Sequence, residues 1–155
     1  MRSGKKYSGR VALYFEDQPE QVKAIMDYLH DKLGFEVLRA EAPKEAFHYL
    51  ATRRLDLVIL DVRILGGKER LDGTEQEWKR YGMYFLEELR RGTASKKTPK
   101  NVPVLVITCV VDTADVEKLE ELGTSSGGRF RYLAKPLGLD AFDELGHAVD
   151  YLFSE

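Results

Sequence analysis

One run of six residues constrains the fold more than any other part of the chain: Asp56-Leu-Val-Ile-Leu-Asp61. An unbroken apolar run of this kind predicts a strand buried on both faces, as in the centre of a parallel sheet covered by helices. Asp61 would then stand at the carboxyl end of the strand, the edge at which ligands bind in open α/β sheets. The run alone leaves its role open among a nucleophile, a metal ligand and a polar residue that ends the strand.

Length and charge narrow the class of protein. A chain of 155 residues can bury a core without disulfides or metals, and we expect a single domain. With 24 Lys and Arg against 26 Asp and Glu, the net charge of −2 provides no general attraction to nucleic acid or membranes. Cys109 is the single cysteine, so no internal disulfide can form, and the N-terminal sequence lacks a secretory signal. No apolar run approaches the roughly 20 residues of a membrane span. We therefore expect a soluble cytoplasmic protein.

Predicted strands and helices alternate along the chain after a polar lead-in of about nine residues. Strands are predicted at Val11–Phe15, Phe35–Arg39, Leu57–Leu60, Val102–Thr108 and Phe130–Ala134, the second near a sheet edge. Helices are predicted from Pro19 to near Gly34, at Lys44–Arg53, at about 75–91, at Ala114–Leu122 with Gly123 as the stop, and at about Leu139–Phe153. The last helix carries Phe142, Leu145, Val149 and Leu152 on one side, which we expect to face the core. Five alternations with right-handed crossovers predict a three-layer α/β/α sandwich around a parallel sheet.

Polar residues follow four of the five predicted strands. Glu16 and Asp17 follow the first strand, Asp61 the third and Lys135 the fifth, while Thr108 ends the fourth. Each has an ordinary structural explanation, because paired acids cap helices, threonines end many strands and lysines are usually solvated. Since the carboxyl ends of parallel strands share one edge of the sheet, however, we expect all of them to lie close together.

This set of residues suits phosphoryl transfer onto a carboxylate. Asp61 would attack phosphorus as an oxygen nucleophile and form an aspartyl phosphate. Crowded carboxylates repel each other, and a hard cation such as Mg²⁺ relieves that repulsion while it binds the phosphoryl oxygens. The Lys135 ammonium and the Thr108 hydroxyl would bind further phosphoryl oxygens. Charge neutralisation and positioning would supply most of the catalysis.

In this order the residues resemble the receiver domain of two-component response regulators. That family has an acidic pair after the first strand, a phosphoacceptor Asp after the third, Thr or Ser after the fourth and Lys-Pro after the fifth, here Lys135-Pro136. The resemblance covers about residues 10–153. It implies a flavodoxin-like fold with a five-stranded parallel sheet in the order 2-1-3-4-5, and it makes Asp61 the phosphoacceptor.

The resemblance also implies roles for five further positions. Asp17 would be a direct Mg²⁺ ligand beside Asp61, and Glu16 would act on the metal through water. Arg63 would lend its backbone carbonyl to the metal. Tyr132, three residues before the lysine, matches the aromatic switch residue that moves together with Thr108.

Partners and domain organisation follow from the same resemblance. The phosphoryl group would come from a histidine kinase or a histidine phosphotransfer protein, and the signal would pass on by contact with an unidentified protein, without direct binding to nucleic acid or membrane. The sequence leaves open whether the protein forms a homodimer. We expect a signalling module rather than a turnover enzyme. The segment of about 64–78 is an insertion relative to the family. We expect no output domain after the last helix in this chain, as in a single-domain receiver or a fragment of a longer protein.

Two alternative functions belong to other classes of protein, a docking scaffold and an enzyme. A receiver-fold scaffold that is never phosphorylated would use its insertion for docking, but it would have no need of the acids and Lys135. A phosphatase of the haloacid dehalogenase type also uses an Asp after an apolar strand, but it needs a second acid where this chain has Arg63. Nucleotide-binding folds are disfavoured because neither a dinucleotide fingerprint nor a P-loop follows any strand.

Overall fold

The computed structural model describes residues 5–16, 19–60, 85–92, 97–108, 113–134 and 141–154. These residues form one parallel sheet. Its strands are β1 (Val11–Phe15), β2 (Glu36–Ala40), β3 (Leu57–Leu60), β4 (Val104–Thr108) and β5 (Phe130–Ala134), in the spatial order β2-β1-β3-β4-β5. This confirms the flavodoxin-like order 2-1-3-4-5 and places β2 at an edge, as predicted.

Helices connect the strands. They are α1 (Pro19–Asp27), which continues into a wider π-helical segment at Tyr28–Leu33, α2 (Pro43–Thr52), α3 (described over 85–91), α4 (Thr113–Thr124) with a 3₁₀ turn at Ser125–Gly127, and α5 (Ala141–Phe153). The part of the third predicted helix before residue 85, and the insertion at about 64–78, lie outside the described residues. None of the helices that the structure describes is long and apolar enough to cross a membrane.

Two hydrophobic cores cover the two faces of the sheet. Alternate residues of β3 enter different cores: Val58 and Leu60 lie in one, while Leu57 and Ile59 lie in the other. The first core also takes side chains from α2, α3 and α4, and the second takes side chains from α1 and α5. The three-layer sandwich is therefore confirmed. The run Leu57–Leu60 is apolar at every position because both faces of β3 are buried.

Element boundaries agree with the prediction where local chemistry is strong. The first helical segment ends at Gly34, whose φ of 95° is a left-handed conformation that favours glycine. The fourth strand begins two residues later than predicted, at Val104 rather than Val102. The Val102 N–H donates instead to the Pro99 carbonyl over 3.1 Å, and Pro103 has no N–H to give to a strand ladder.

The predicted stop at Gly123 is wrong, because α4 runs through it to Thr124. A Cβ atom on Gly123 would lie 2.1 Å from Cδ1 of Phe130, so the absent side chain makes room for the Phe130 ring of β5. Glycine therefore serves close packing of the helix on the strand here. The Thr124 hydroxyl donates to the Glu120 carbonyl over 2.8 Å near the true end of the helix.

In α5 the prediction of a core-facing stripe holds for Leu145, Val149 and Leu152, which are buried. It is wrong for Phe142, which is 42% exposed. The Phe142 ring stacks on Tyr28 of the neighbouring helical segment, with centroids 5.0 Å apart and an interplanar angle of 15°. This stacking at the surface removes part of the ring from water without placing it in the core.

The polar lead-in contains a core residue that the sequence pattern did not indicate. Tyr7 is 5% exposed, and its ring stacks on Phe35 with centroids 5.1 Å apart and contacts Phe153 at 5.0 Å. Its hydroxyl donates to Oδ1 of Asp150 on α5 over 2.6 Å. The lead-in therefore ties the start of the chain to the last helix.

A buried guanidinium joins three segments at the amino edge of the sheet. Arg90 of α3 is 2% exposed. It donates to the carbonyls of Gly123 (2.7 Å), Lys100 (2.9 Å), Val102 (2.5 Å) and Arg129 (3.0 Å). Burial lowers the pKa of Arg90 to about 10, which leaves the group charged at neutral pH.

Candidate functional site

The strands that precede the predicted site residues in the sequence end at one edge of the sheet. Phe15, the last residue of β1, pairs with Leu60, the last residue of β3. The strands that precede the acidic pair and Asp61 in the sequence therefore end next to each other. In the other half of the sheet, Thr108 pairs with Ala134, the residue directly before Lys135.

Glu16 is the acid of the predicted set that the structure describes in full. It is 1% exposed at the carboxyl end of β1. Its N–H donates to the Ala40 carbonyl over 3.0 Å, which continues the ladder between β1 and β2 past the end of the strands. A carboxylate buried at this edge fits a site that gathers negative charge, because such a group needs compensation from cations or hydrogen-bond donors.

Arg39 is a residue that sequence reasoning missed. Its Nε and Nη2 atoms donate to the Glu16 carbonyl over 3.3 and 3.1 Å, and Nη1 lies 3.4 Å from Oε2 of Glu41. The guanidinium therefore fixes the Glu16 backbone and adds positive charge next to this residue. The sequence does carry a signal for Arg39: it is a cation near the end of a predicted edge strand, and that strand lies next to the one that precedes the acids.

The edge rests on packed aromatic rings. Phe15, directly before Glu16, meets Phe85 of α3 edge-on with centroids 5.5 Å apart. Phe47 of α2 contacts the same Phe85 ring at 5.0 Å. These rings pack against the end of β1 from the core, so Glu16 directly follows a well-supported residue.

Tyr132, the predicted switch residue, is half-buried on β5 and packs against the core shared by α2, α3 and α4. It pairs with Val106 of β4, two residues before Thr108. The structure thus brings Tyr132 and the Thr108 backbone onto adjacent strands near the same edge. The Thr108 side chain lies outside what the structure describes.

Four other predicted site residues, Asp17, Asp61, Arg63 and Lys135, also lie outside the described residues. Within the described ranges, no group of three or more His, Cys, Asp or Glu side chains could hold a metal ion. In the sequence, the acids at 16, 17 and 61 come within two residues of the ends of β1 and β3, which are neighbouring strands. A donor set of carboxylate oxygens fits the hard cation Mg²⁺.

Comparison with known proteins agrees with this geometry. The family model described as the response regulator receiver domain matches residues 12–145, most of the chain. The chain therefore belongs to the response regulator receiver domain family of two-component signal transduction. Among curated proteins, no significant match is found.

Solved structures show the same fold at low sequence identity. A response regulator from Thermotoga maritima is 20% identical, with a TM-score of 0.66 and coverage of 94% of this chain and 98% of that one. One from Clostridium difficile is 18% identical, with a TM-score of 0.65 and coverage of 94% and 99%. The receiver domain of a Pseudomonas aeruginosa PAO1 sensor histidine kinase, solved with a magnesium ion coordinated in its active site cleft, is 22% identical, with a TM-score of 0.63 and coverage of 94% and 98%.

Proposed function

We propose that this receiver domain accepts a phosphoryl group on Asp61 in the presence of Mg²⁺ and relays the signal by contact with another protein. The observation that carries the proposal is the pairing of Phe15 with Leu60. This pairing supports the proposal because it ends β1 and β3 at the same edge, and Glu16, Asp17 and Asp61 follow these two strands in the sequence. Such a set of acids has a direct use in phosphoryl transfer and no use in the core.

Each residue has a separate task in the proposed reaction. A carboxylate oxygen of Asp61 forms a bond to phosphorus while the bond from phosphorus to the donor's histidine nitrogen breaks, and the nitrogen keeps the electron pair. The Lys135 ammonium and the Thr108 hydroxyl bind phosphoryl oxygens and balance their charge. Pro136 follows the lysine and limits the backbone there.

The metal would be held by the acidic edge. Asp17 and Asp61 would supply carboxylate oxygens, Arg63 its backbone carbonyl and Glu16 a contact through water. Bound Mg²⁺ supplies positive charge to the phosphoryl oxygens. Arg39 has a positioning role in this proposal, because its two hydrogen bonds fix the Glu16 carbonyl from which the acidic pair continues.

We further propose that phosphorylation draws Thr108 toward the new charge and turns Tyr132 inward. An added phosphoryl group attracts nearby hydrogen-bond donors. Tyr132 lies on β5 and pairs with Val106 of β4, the strand that ends at Thr108. The surface that changes would be formed by α4, the loop at Thr124–Gly128 and α5. The donor would be a histidine kinase or a histidine phosphotransfer protein of the cytoplasm.

Intact-mass measurement after incubation with Mg²⁺ and acetyl phosphate tests the proposal. We expect the wild type to gain one phosphoryl group and Asp61→Asn to gain none. Asp56→Asn is the matched control, since Asp56 stands at the opposite end of the same strand and accepts a hydrogen bond from the Val11 N–H over 2.9 Å. That variant should still gain mass. A wild type without any gain would favour the scaffold alternative, in which this fold serves docking without phosphorylation.

A further inference from the structure

A cleft of about 330 Å³ opens at the amino edge of the sheet, opposite to the edge that carries the predicted phosphoacceptor. The starts of four strands and the end of α5 line it. Its polar lining includes Arg10, Arg54, Asp56, Asn101, Arg129 and Ser154. None of the residues proposed for phosphoryl transfer lines this cleft, so it needs an explanation of its own.

Among the residues that the structure describes, the lining carries more positive than negative charge. Its cations are Arg10, Arg54 and Arg129, and its acid is Asp56. That carboxylate accepts a hydrogen bond from a backbone N–H over 2.9 Å and lies 3.9 Å from Nε of Arg54, so it offsets at most part of the charge. Within the described part of the lining, three guanidinium groups against one acid make the cleft attractive to anions.

Two of the arginines are held without a carboxylate partner among the residues that the structure describes. The Arg10 guanidinium lies over the Phe153 ring at 5.0 Å from its centroid. Nη1 of Arg129 contacts the Tyr151 carbonyl at 3.3 Å and the Ser154 hydroxyl at 3.4 Å, both of which are long hydrogen bonds. With respect to the described residues, both guanidinium groups therefore keep N–H donors for a further ligand.

Hydrogen bonds within the protein hold the segments that line the cleft in place. The buried Arg90 binds the carbonyls of Val102 and Arg129, which belong to two of the lining segments. Asp56 joins the start of β3 to the start of β1 through the Val11 N–H. A ligand would thus meet arginines on walls that are already ordered, which lowers the entropy lost on binding.

We propose that this cleft binds a small phosphorylated molecule, with its phosphate groups on Arg10, Arg54 and Arg129. Planar guanidinium groups match phosphate oxygens in pairs, which favours phosphate over monovalent anions. Ligand pockets usually measure about 300–1,000 Å³, so this cleft suits a pyrophosphate group or one nucleotide rather than a polymer. A receiver domain with such a site would sense a phosphorylated metabolite independently of phosphorylation at the opposite edge.

Calorimetric titration with pyrophosphate and with ADP tests the proposal, in EDTA so that the acidic edge holds no metal. We expect binding by the wild type and by Asp61→Asn, and at least about tenfold weaker binding by Arg10→Gln combined with Arg129→Gln. The matched control combines Arg53→Gln with Arg131→Gln. It makes the same change in charge at two arginines that do not line the cleft.

Several outcomes would overturn the proposal: no binding of either probe by the wild type at millimolar concentration, equal weakening in the control pair, or loss of binding in Asp61→Asn. Tighter binding of ADP than of pyrophosphate would assign a nucleotide, and equal binding would assign the phosphate groups alone. Circular dichroism verifies folding of each variant. If the double variant does not fold, Arg54→Gln provides the test, since its side chain is 67% exposed, and unchanged affinity in that variant would overturn the proposal.

Discussion

The buried Arg90 makes the strongest prediction about stability. Arg90→Met removes a guanidinium that donates to four backbone carbonyls. Its bonds to the carbonyls of Gly123 and Val102, 2.7 and 2.5 Å long, are buried, so these two acceptors lose their donor where water does not replace it easily. The other two carbonyls are only partly buried and can be hydrated.

The magnitude follows from those two buried acceptors. A buried group left without its partner costs about 1–3 kcal/mol, so the two buried carbonyls together cost about 2–6 kcal/mol. The methionine side chain recovers some apolar contact. We therefore expect Arg90→Met to lower the free energy of unfolding by about 3–5 kcal/mol and the melting temperature by roughly 6–20 °C. Arg90→Lys should fall between, because one ammonium cannot reach all four carbonyls.

Urea denaturation followed by circular dichroism measures this loss. Arg91→Met is the matched control, since Arg91 is the next residue of α3 but is 59% exposed and pairs with Glu87 at 2.8 Å and Glu88 at 3.3 Å. Exposed ion pairs contribute about 0–1 kcal/mol, so this variant should stay close to the wild type. If Arg90→Met also stayed within about 1 kcal/mol of the wild type, the view of Arg90 as the link between these segments would be refuted.

Three further predictions concern other parts of the molecule. Burial, and then the hydrogen bond to Asp150, raise the pKa of Tyr7 above its ordinary 10.0, so the folded state keeps a proton that the unfolded chain loses. Stability should therefore decline as the pH rises above about 10, and Tyr7→Phe, at a loss of about 1 kcal/mol at neutral pH, should remove that part of the decline in urea titrations at several pH values. Gly123→Ala should destabilise the fold by about 1–3 kcal/mol in thermal unfolding, because its Cβ would meet a packed aromatic ring. Gly146→Ala in α5 should be neutral or stabilise by up to about 1 kcal/mol, since its nearest neighbour is the end of a tyrosine side chain. Equal effects of the two substitutions would contradict the packing argument. Asp17→Asn should weaken Mg²⁺ binding by about tenfold or more in calorimetry, and wild-type affinity in that variant would remove Asp17 from the metal site.

The fold could be predicted because its signals are local. The run from Leu57 to Leu60 is apolar at every position, and the structure buries alternate residues in two different cores. Gly34 ends the first helical segment with the positive φ that glycine favours. The family's motif residues at strand ends were predicted from the same local patterns, and the register of β1 against β3 ends the two strands that precede the acids at the same edge.

What the sequence did not indicate depends on distant partners. Arg90 looks like an ordinary charged residue of an amphipathic helix, because the carbonyls that it binds come from three other segments. Gly123 resembles a helix stop until the Phe130 ring is placed against it. Tyr7 lies in a polar lead-in, and its burial results from packing against Phe35 and Phe153. In each case the deciding contact is tertiary, and periodicity does not report it.

The central claim is that Asp61 is the residue that carries the phosphoryl group. Acetyl phosphate and Mg²⁺ are added to the wild type, and sodium borohydride then reduces the aspartyl phosphate to homoserine. Tandem mass spectrometry of the peptides reads out which position was converted. We predict homoserine at position 61 and at no other position. Conversion at position 17 or 56 with aspartate retained at 61, or no conversion in a protein that has gained a phosphoryl group, would contradict the account.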